Sequence, residues 1–369
     1  MFDHLLRRAA RGEECGARFG GRRFVATHIK ALRVLAAFGT PFLLPFAGAQ
    51  HALAGGEISR DVVFSDYSER SSSAELARRL LSPLTAAQLE RQTRSGKKMV
   101  EQSIKLSGEK FLVYIPSPRP ARGFGVLVFV PPWQDARLPQ GWAPALDRYG
   151  VIFVTAARSG NDESVFDRRG PLALLAAQNI IRRYPVDPQR VYIGGFSGGS
   201  RVALRLALGY PDLFRAAILN AGSDPIGNSQ IPLPPKDLFF QFQSSSHIVY
   251  VTGAVDAFQL SSDMASMHSM REWCVFDVED HAEPSAGHEV AGSTALSWAL
   301  SALMHEARPD SGKLAGCRSA IEEALKLKIR QVESLVAGGH HDDAQKLLAK
   351  IDAQYGGLAA PRSVELAQD

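Results

Sequence analysis

Short apolar runs alternate with helix-like stretches from about Gly108 to about His305. The runs are rich in β-branched and aromatic residues, and they are continuously apolar, as is typical of strands that are buried on both faces. Regular alternation of strand and helix favours a parallel sheet with helices on both sides. The sequence therefore predicts an α/β fold built on a mostly parallel, doubly wound sheet.

The same pattern gives individual elements. The predicted strands are Asp61–Phe64, Phe111–Ile115, Val126–Val130, Val151–Thr155, Val191–Gly194, Ala216–Asn220, Ile248–Thr252 and Cys274–Val278. Helices are predicted at Ser73–Arg91 (interrupted by Pro83), Leu172–Tyr184, Ser200–Leu208, Ser262–Arg271, Thr294–Leu303, Leu314–Ala337 and Asp342–Tyr355.

Four segments follow from these elements. Residues 1–54 are a predicted leader, 55–105 an N-terminal decoration with one strand and helices, 106–310 the main α/β domain, and 311–369 a C-terminal helical hairpin. A hairpin of this size cannot hold a core alone. We therefore expect it to dock on its own main domain or on a partner.

The leader has the order of an export signal. Four basic residues lie between Arg22 and Arg33, an apolar run follows at Val34–Phe46, and small residues then offer cleavage after Ala49 or Ala54. A single membrane span is the alternative, but two prolines keep the run below the ~20 residues that a bilayer requires. We expect a secreted or periplasmic protein with no stable membrane span after cleavage.

Charge and cysteine content exclude several classes. The first 54 residues hold eight Lys or Arg and three Asp or Glu, so the remaining 34 bases and 35 acids nearly balance and no nucleic-acid partner is expected. Three cysteines exclude a disulfide-dense miniprotein. Cys274 and Cys317 remain after cleavage, and they either pair in an oxidising compartment or stay as two buried thiols.

The strongest chemical motif is Gly195-Phe196-Ser197-Gly198-Gly199. It follows a predicted strand and opens a predicted helix, which is the layout of a nucleophile elbow. Such a turn exposes the serine hydroxyl in a strained backbone conformation, and glycines two residues before and after remove colliding Cβ atoms. Ser197 is therefore the predicted nucleophile, and a glycine-rich turn in a binding-only protein is the alternative.

A serine hydroxyl needs a base, and in this fold the order along the chain is serine, acid, histidine. His288 lies in the loop after the last predicted strand and is the predicted base, with His281 as the fallback. Asp256 follows the preceding strand and is the predicted acid, with Asp224 as the other position from which a carboxylate could reach the histidine.

Two backbone amides are expected to bind the oxyanion, those of Gly198 and Trp133. Trp133 is the first amide in its loop after Pro131-Pro132, because proline has no N–H. Gln134, Asn161 and Trp142 are candidate substrate contacts, although packing and turn formation explain the same residue types.

No cofactor and no metal are expected. Gly-rich phosphate loops and CxxC pairs are absent from the sequence. The run His340-His341-Asp342-Asp343 resembles a metal cluster, but at a predicted helix start its two acids suit the cap and the helix dipole.

With these residues, the chain resembles the α/β-hydrolase superfamily, and within it the extracellular polyhydroxybutyrate depolymerase and feruloyl esterase type. The similarity is densest from Arg182 to Gly222, around the serine turn, and extends loosely over 110–305. The resemblance implies a cofactor-independent serine hydrolase with Ser197, Asp256 and His288 as its triad. The chain departs from the pattern at Pro131-Pro132, where such enzymes usually carry His-Gly, and at Ser200, where glycine or alanine is common.

The expected activity is hydrolysis of a carboxylic ester, small or polymeric, through an acyl-enzyme intermediate. Two alternatives stay open from the sequence: a serine peptidase on the same fold, and a non-catalytic binding protein that uses the helical tail as a docking surface.

Overall fold

The computed structural model describes residues 55–96, 101–305 and 309–368. Within them, eight strands form one sheet: β1 (Glu57–Val62), β2 (Phe111–Ile115), β3 (Phe124–Val130), β4 (Val151–Ala156), β5 (Val186–Phe196), β6 (Ala216–Asn220), β7 (His247–Gly253) and β8 (Val278–Glu283). Their order is β1-β2-β4-β3-β5-β6-β7-β8. Strand β2 runs antiparallel to β1 and β4, and the other neighbours are parallel.

The α-helices of these residues cover both faces of the sheet. They are α1 (Ser73–Leu80), α2 (Pro83–Arg94), α3 (Ala143–Tyr149), α4 (Gly170–Arg183), α5 (Gly198–Gly209), α6 (Lys236–Ser245), α7 (Ala257–Glu272), α8 (Ser293–Ala302), α9 (Ser311–Ala337), α10 (His341–Tyr355) and α11 (Arg362–Leu366). This architecture confirms the predicted α/β-hydrolase fold class, with its mostly parallel, doubly wound sheet and helical C-terminal region.

Strand β3 shows how the sequence makes two cores. Every residue of β3 is buried, and successive side chains point to opposite faces. Val126 and Val128 pack with helices α4 and α5 on one face. Leu127 and Phe129 pack with α3 and α8 on the other. Because both faces are covered, a continuous apolar run is what this strand requires.

Two predicted strands are misplaced. The predicted strand Asp61–Phe64 shares only Asp61 and Val62 with β1, which begins four residues earlier at Glu57 and ends at Val62. The apolar residues from Cys274 to Phe276 lie outside the sheet, and β8 begins only at Val278. Cys274 ends the helical segment at a left-handed φ of 61°, where its amide bonds to Arg271. Strand β8 itself is polar and half exposed because it is the last strand of the sheet, with a neighbour on one side only.

The N-terminal segment and the C-terminal hairpin both contact the main domain. Strand β1 extends the sheet through β2, and the backbone amide of Leu84 in α2 donates to Asp352 of α10 at 3.0 Å. Val332 and Ile351 on the facing sides of the hairpin are fully buried in the main core. A disulfide joins Cys274 to Cys317, with 5.9 Å between their Cα atoms, and so links α9 to the end of α7.

The predicted leader and its cleavage positions, residues 1–54, lie outside the described residues. None of the described helices combines the length and the apolar character needed to cross a bilayer.

Candidate active site

Ser197 forms the turn between β5 and α5. Its backbone has φ 55° and ψ −125°, a left-handed conformation that costs a non-glycine residue about 1–3 kcal/mol. The Ser197 amide donates to the carbonyl of Asn220 at 2.9 Å, which pins the turn to β6. A Cβ at Gly195 would overlap the backbone of Gly199, and one at Gly199 would overlap the carbonyl of Val130. Both glycines are therefore required where the sequence analysis placed them.

His288 and Asp256 complete a hydrogen-bonded chain from this serine. The Nε2 atom of His288 lies 3.0 Å from Ser197 Oγ, and its Nδ1 lies 2.7 Å from Asp256 Oδ2. Because ionised Asp256 can only accept, Nδ1 carries a proton and Nε2 is left to accept from the serine hydroxyl. The three predicted residues are thus brought together in the arrangement that general-base activation of a serine requires.

The local backbone explains why the acid and the histidine meet. Asp256 caps helix α7, since its Oδ1 accepts from the amide of Gln259 at 3.3 Å. The loop that carries His288 crosses directly over the end of β7, where a Cβ at Gly253 would overlap the carbonyl of Ala286. Asp256 is 10% exposed and His288 43%, so the acid is sheltered while the ring faces the opening.

The loop after β3 lies against the serine turn from the other side. Gly199 packs on Val130 and Pro131, which places the following residues next to Gly198. Within the described residues, the backbone amides of Gly198 and Trp133 have no hydrogen-bond acceptor. Both predicted oxyanion donors are therefore free to bind a ligand oxygen, as a site for a developing negative charge needs.

Aromatic rings border the serine turn. The ring of Phe196 lies 5.0 Å from the imidazole of His288 and 6.2 Å from the ring of Trp133. The guanidinium of Arg137 covers the outer face of Trp133 at 4.0 Å. Trp133 therefore takes part in the wall of the site as well as offering its amide.

The predicted substrate contact at Trp142 is corrected by the structure. Trp142 is only 2% exposed, its ring packs edge-on to Phe129 and Phe153, and its indole N–H donates to the carbonyl of Ala291 at 2.8 Å. The large apolar ring is more stable in the core than at an open rim. Trp142 thus supports the segment just beyond His288 and does not face a substrate.

Gln134 and Asn161 lie in two loops that are bonded to each other. The carbonyl of Gln134 accepts from the amide of Arg158 at 2.6 Å, and its side-chain oxygen accepts from the amide of Gly160 at 3.4 Å. The backbone amide of Asn161 donates to the carbonyl of Pro132 at 3.0 Å. Gln134 therefore holds the loops together, whereas the Asn161 side chain lies over Gly198.

Two residues that hold this site were not identified from the sequence. Asn220 is buried, and it accepts the Ser197 amide, donates to the carbonyl of Val251 at 2.8 Å and accepts from the amide of Ala291 at 2.7 Å. Arg169 is buried beside the loops after β3 and β4. Asn220 ends a predicted strand, which is a usable signal, but no pattern around Arg169 indicates its position.

The alternative residues have other partners. The ring of His281 stacks on Trp298 at 4.8 Å. The carboxylate of Asp224 binds Arg201 Nε at 3.0 Å. His288 and Asp256 are therefore the histidine and the acid that reach Ser197.

The predicted helix start at His340–Asp343 matches the beginning of α10, which has two acids in its first turn. Among the described residues, no cluster of three or more His, Cys, Asp or Glu side chains has a geometry that could hold a metal ion.

Comparison with known proteins gives structural likeness without sequence kinship. No protein-family model matches the chain, and no curated protein matches it. Solved structures similar to it include S-formylglutathione hydrolase FrmB from Staphylococcus aureus, with TM-score 0.42, 11% identity, and coverage of 53% of this chain and 93% of that one. A ferulic acid esterase gives TM-score 0.39, 18% identity, and coverage of 52% and 88%.

A third similar structure is MGS-M1, an α/β-hydrolase enzyme from a Medee basin deep-sea metagenome library. It gives TM-score 0.39, 15% identity, and coverage of 64% of this chain and 84% of that one. The fold is therefore shown by the order and direction of the strands in the sheet.

Proposed function

We propose that this protein is an exported serine hydrolase that cleaves carboxylic esters, small or polymeric, through a Ser197–His288–Asp256 triad. One observation carries the proposal. A strained serine at a strand-to-helix turn lies 3.0 Å from an imidazole nitrogen whose other nitrogen lies 2.7 Å from a sheltered carboxylate. A binding-only protein has no need for this backbone strain or for this chain of hydrogen bonds.

In the first half of the reaction, Ser197 Oγ bonds to the ester carbonyl carbon as its proton moves to His288 Nε2. The carbonyl electron pair moves to the oxygen, which accepts hydrogen bonds from the amides of Gly198 and Trp133. When the carbonyl re-forms, the alcohol leaves and takes the proton from Nε2. An acyl group then remains as an ester on Ser197 Oγ.

The second half repeats these steps with water as the nucleophile. Nε2 takes a proton from water, the hydroxide oxygen bonds to the acyl carbon, and the tetrahedral species collapses. Ser197 Oγ recovers the proton and the carboxylic acid leaves, so that ester and water give acid and alcohol. Asp256 orients the ring and stabilises the imidazolium in both halves.

The activity is tested by covalent labelling and a substrate panel. A fluorophosphonate should label the wild-type chain at Ser197 and should not label Ser197→Ala, while Ser95→Ala, at an exposed serine that bonds to the carbonyl of Gln92, keeps full labelling. Acyl esters of graded length, aryl esters and peptide amides then define the bond that is cleaved. Amide cleavage without ester turnover would favour the peptidase, and a wild type that neither labels nor hydrolyses would contradict the proposal.

Export is proposed from the leader and is consistent with the disulfide. Bonds between cysteines persist in oxidising compartments and are rare in the cytosol of mesophiles. We expect protein recovered outside the inner membrane to begin after Ala49 or Ala54 and to carry no free thiol at Cys274 or Cys317. An uncleaved chain that stays in the cytosol with both thiols free would contradict export and leave the hydrolase proposal untouched.

A further inference from the structure

Arg169 is a buried cation with an unusual set of partners. Its side chain is 4% exposed, and within the described residues no carboxylate lies within ion-pair distance of it. Burial lowers the pKa of Arg169 to about 10, which still leaves it charged at neutral pH. Burying a charge without a counter-ion costs free energy unless its N–H donors are hydrogen-bonded. The stability of the buried Arg169 guanidinium therefore depends on its hydrogen bonds.

The three acceptors of Arg169 belong to the two loops beside the serine turn. Its Nε donates to the carbonyl of Ser159 at 3.1 Å, and its Nη2 donates to the carbonyl of Pro131 at 2.9 Å and to Asn161 Oδ1 at 3.3 Å. Pro131 lies two residues before Trp133, whose amide is a proposed oxyanion donor. One rigid guanidinium therefore fixes the loop with the amide donor and the loop with Asn161 at once.

Arg169 lies where a π-helical turn passes into a long helix. The turn Val165–Arg169 begins after its cap, Ser164, and the backbone continues through helical angles at Arg169 into α4. Such π turns are frequent at functional sites. This backbone holds the guanidinium beside the loops after β3 and β4.

The side chain of Asn161 lies in the space above Gly198. A Cβ at Gly198 would overlap Asn161 Oδ1 and would lie 3.1 Å from Asn161 Nδ2. Gly198 is thus a glycine because the amide group of Asn161 occupies the position of its side chain. Because Oδ1 accepts from Arg169, the other end of the amide carries the two N–H donors. Within the described residues, Asn161 Nδ2 donates to no acceptor.

We propose that Asn161 Nδ2 is a third donor to the oxyanion, beside the amides of Gly198 and Trp133, and that Arg169 is the positioning residue that aims it. The proposal rests on the hydrolase function proposed above. As Ser197 Oγ bonds to the carbonyl carbon, the oxygen gains negative charge next to Gly198, where the carboxamide of Asn161 lies. A donor fixed in advance stabilises this charge without reorganisation.

Asn161→Asp separates a donor from a structural contact. Aspartate has the same size and still accepts from Arg169, but it has no N–H and adds a negative charge beside the oxyanion. We expect kcat to fall on the order of 10²–10³-fold with KM nearly unchanged and the melting temperature not lowered, since removal of one oxyanion donor has effects of this size. Asn161→Ala, which adds no charge, should lose less.

The rate of fluorophosphonate labelling should be highest in wild type, lower in Asn161→Ala and lowest in Asn161→Asp, because the phosphoryl oxygen of the probe occupies the position of the oxyanion. An Asn161→Asp enzyme that keeps kcat within about twofold of an active wild type would overturn the inference while the proposed function stands. A wild type that hydrolyses no ester would overturn both.

The role of Arg169 is tested by a double-mutant cycle with Asn161. Arg169→Met should lower kcat strongly in the wild-type background and clearly less when Asn161 is already alanine, because the part of its effect that passes through Asn161 is then already lost, whereas its bond to the Pro131 loop is lost in both backgrounds. Arg169→Lys keeps the positive charge but lacks the forked N–H donors of the guanidinium, so its kcat should lie between those of Arg169→Met and wild type. It replaces the methionine variant in the test if that variant does not fold. Arg205→Met is the control, because this partly buried arginine lies near Asp224 at 4.0 Å and should change stability but not kcat. Additive losses for Arg169 and Asn161 would overturn the positioning role.

Discussion

The carboxyl edge of the sheet, where Ser197, Asp256 and the loops after β3 and β4 meet, is held differently from the C-terminal hairpin of α9 and α10. The edge contains a serine at positive φ, a buried arginine that has no carboxylate partner among the described residues, and a buried acid, Asp263. Each of these features disfavours the folded state when taken alone. They lie near the proposed triad and oxyanion donors, so this region is expected to give up stability for geometry.

The hairpin has the opposite character. Val332 and Ile351 are fully buried in the main core, the ring of Tyr355 packs edge-on to Trp273 at 5.6 Å, and a disulfide closes the connection to α7. These contacts are apolar or covalent, the polar contact of Asp352 with the Leu84 amide adds to them, and none of them involves Ser197, His288 or Asp256. Chemistry and stability therefore depend on different parts of the chain. Variants at the carboxyl edge should lower kcat with little change in stability, and variants in the hairpin should lower stability with little change in kcat.

The largest effect is expected at the carboxyl edge, from Asp256→Asn. Asparagine still caps α7 but holds His288 in the wrong tautomer, so kcat should fall on the order of 10³–10⁴-fold with little change in melting temperature. Steady-state kinetics and thermal unfolding measure the two quantities. Asp224→Asn is the matched control, since this acid binds Arg201 and should keep most of the rate. An Asp256→Asn enzyme with more than a tenth of wild-type kcat would remove Asp256 from the triad.

The next effect should fall on the hairpin alone. Replacing Cys274 and Cys317 together by alanine opens a loop with a sequence separation of 43 residues. We expect the free energy of unfolding to drop by about 2–4 kcal/mol, while kcat below the unfolding temperature stays as in wild type. Urea unfolding checks the first part, and a reductant should lower the stability of the wild type but not of the variant. A proportional loss of kcat would show that the two regions are not separate.

The sequence predicts the strands and the candidate catalytic residues at the carboxyl edge better than it predicts the residues that hold them in place. Strands β2 and β6 match their predicted bounds to the residue, because continuous apolar runs buried on both faces leave little choice of structure. The serine turn is local only in part: Gly195 is required by the nearby backbone of Gly199, whereas Gly199 is required by the carbonyl of Val130 in a different strand. The meeting of Ser197, Asp256 and His288 follows from strand order, which the alternation pattern already implies.

Predictions from the sequence are wrong where the burial of a residue depends on distant parts of the chain. The apolar residues after Cys274 resemble a strand but pack outside the sheet near the end of α7, whereas the polar strand β8 is held by backbone bonds to β7 and by the stacking of His281 on Trp298. Trp142 was expected near substrate and is buried by contacts with β3 and β4. Arg169 shows no signal at all, because its three acceptors lie in loops that only the folded chain brings together.

The smallest effect tests whether the carboxyl edge gives up stability for its geometry. Asp263 in α7 is 2% exposed, and its Oδ2 accepts from Thr252 Oγ1 at 2.5 Å. Burial raises the pKa of Asp263 to about 7, although the hydrogen bond from Thr252 opposes this. The folded chain therefore keeps a proton that the unfolded chain loses near pH 4, so this residue lowers stability progressively as pH rises from about 4 to about 7.

Asp263→Asn removes that titration and keeps one acceptor oxygen for Thr252. One unit of pKa difference corresponds to about 1.4 kcal/mol. Since weakened hydrogen bonding offsets about 1–3 kcal/mol, we expect a net gain of about 1–3 kcal/mol at pH 8 and a loss of stability near pH 4, where only the weakened hydrogen bond counts. Urea unfolding at both pH values measures this, with Asp343→Asn on the exposed start of α10 as the control that keeps the wild-type profile. If Asp263→Asn leaves the pH dependence as in wild type, this acid is not destabilising, and the contrast between the edge and the hairpin rests on Ser197 and Arg169 alone.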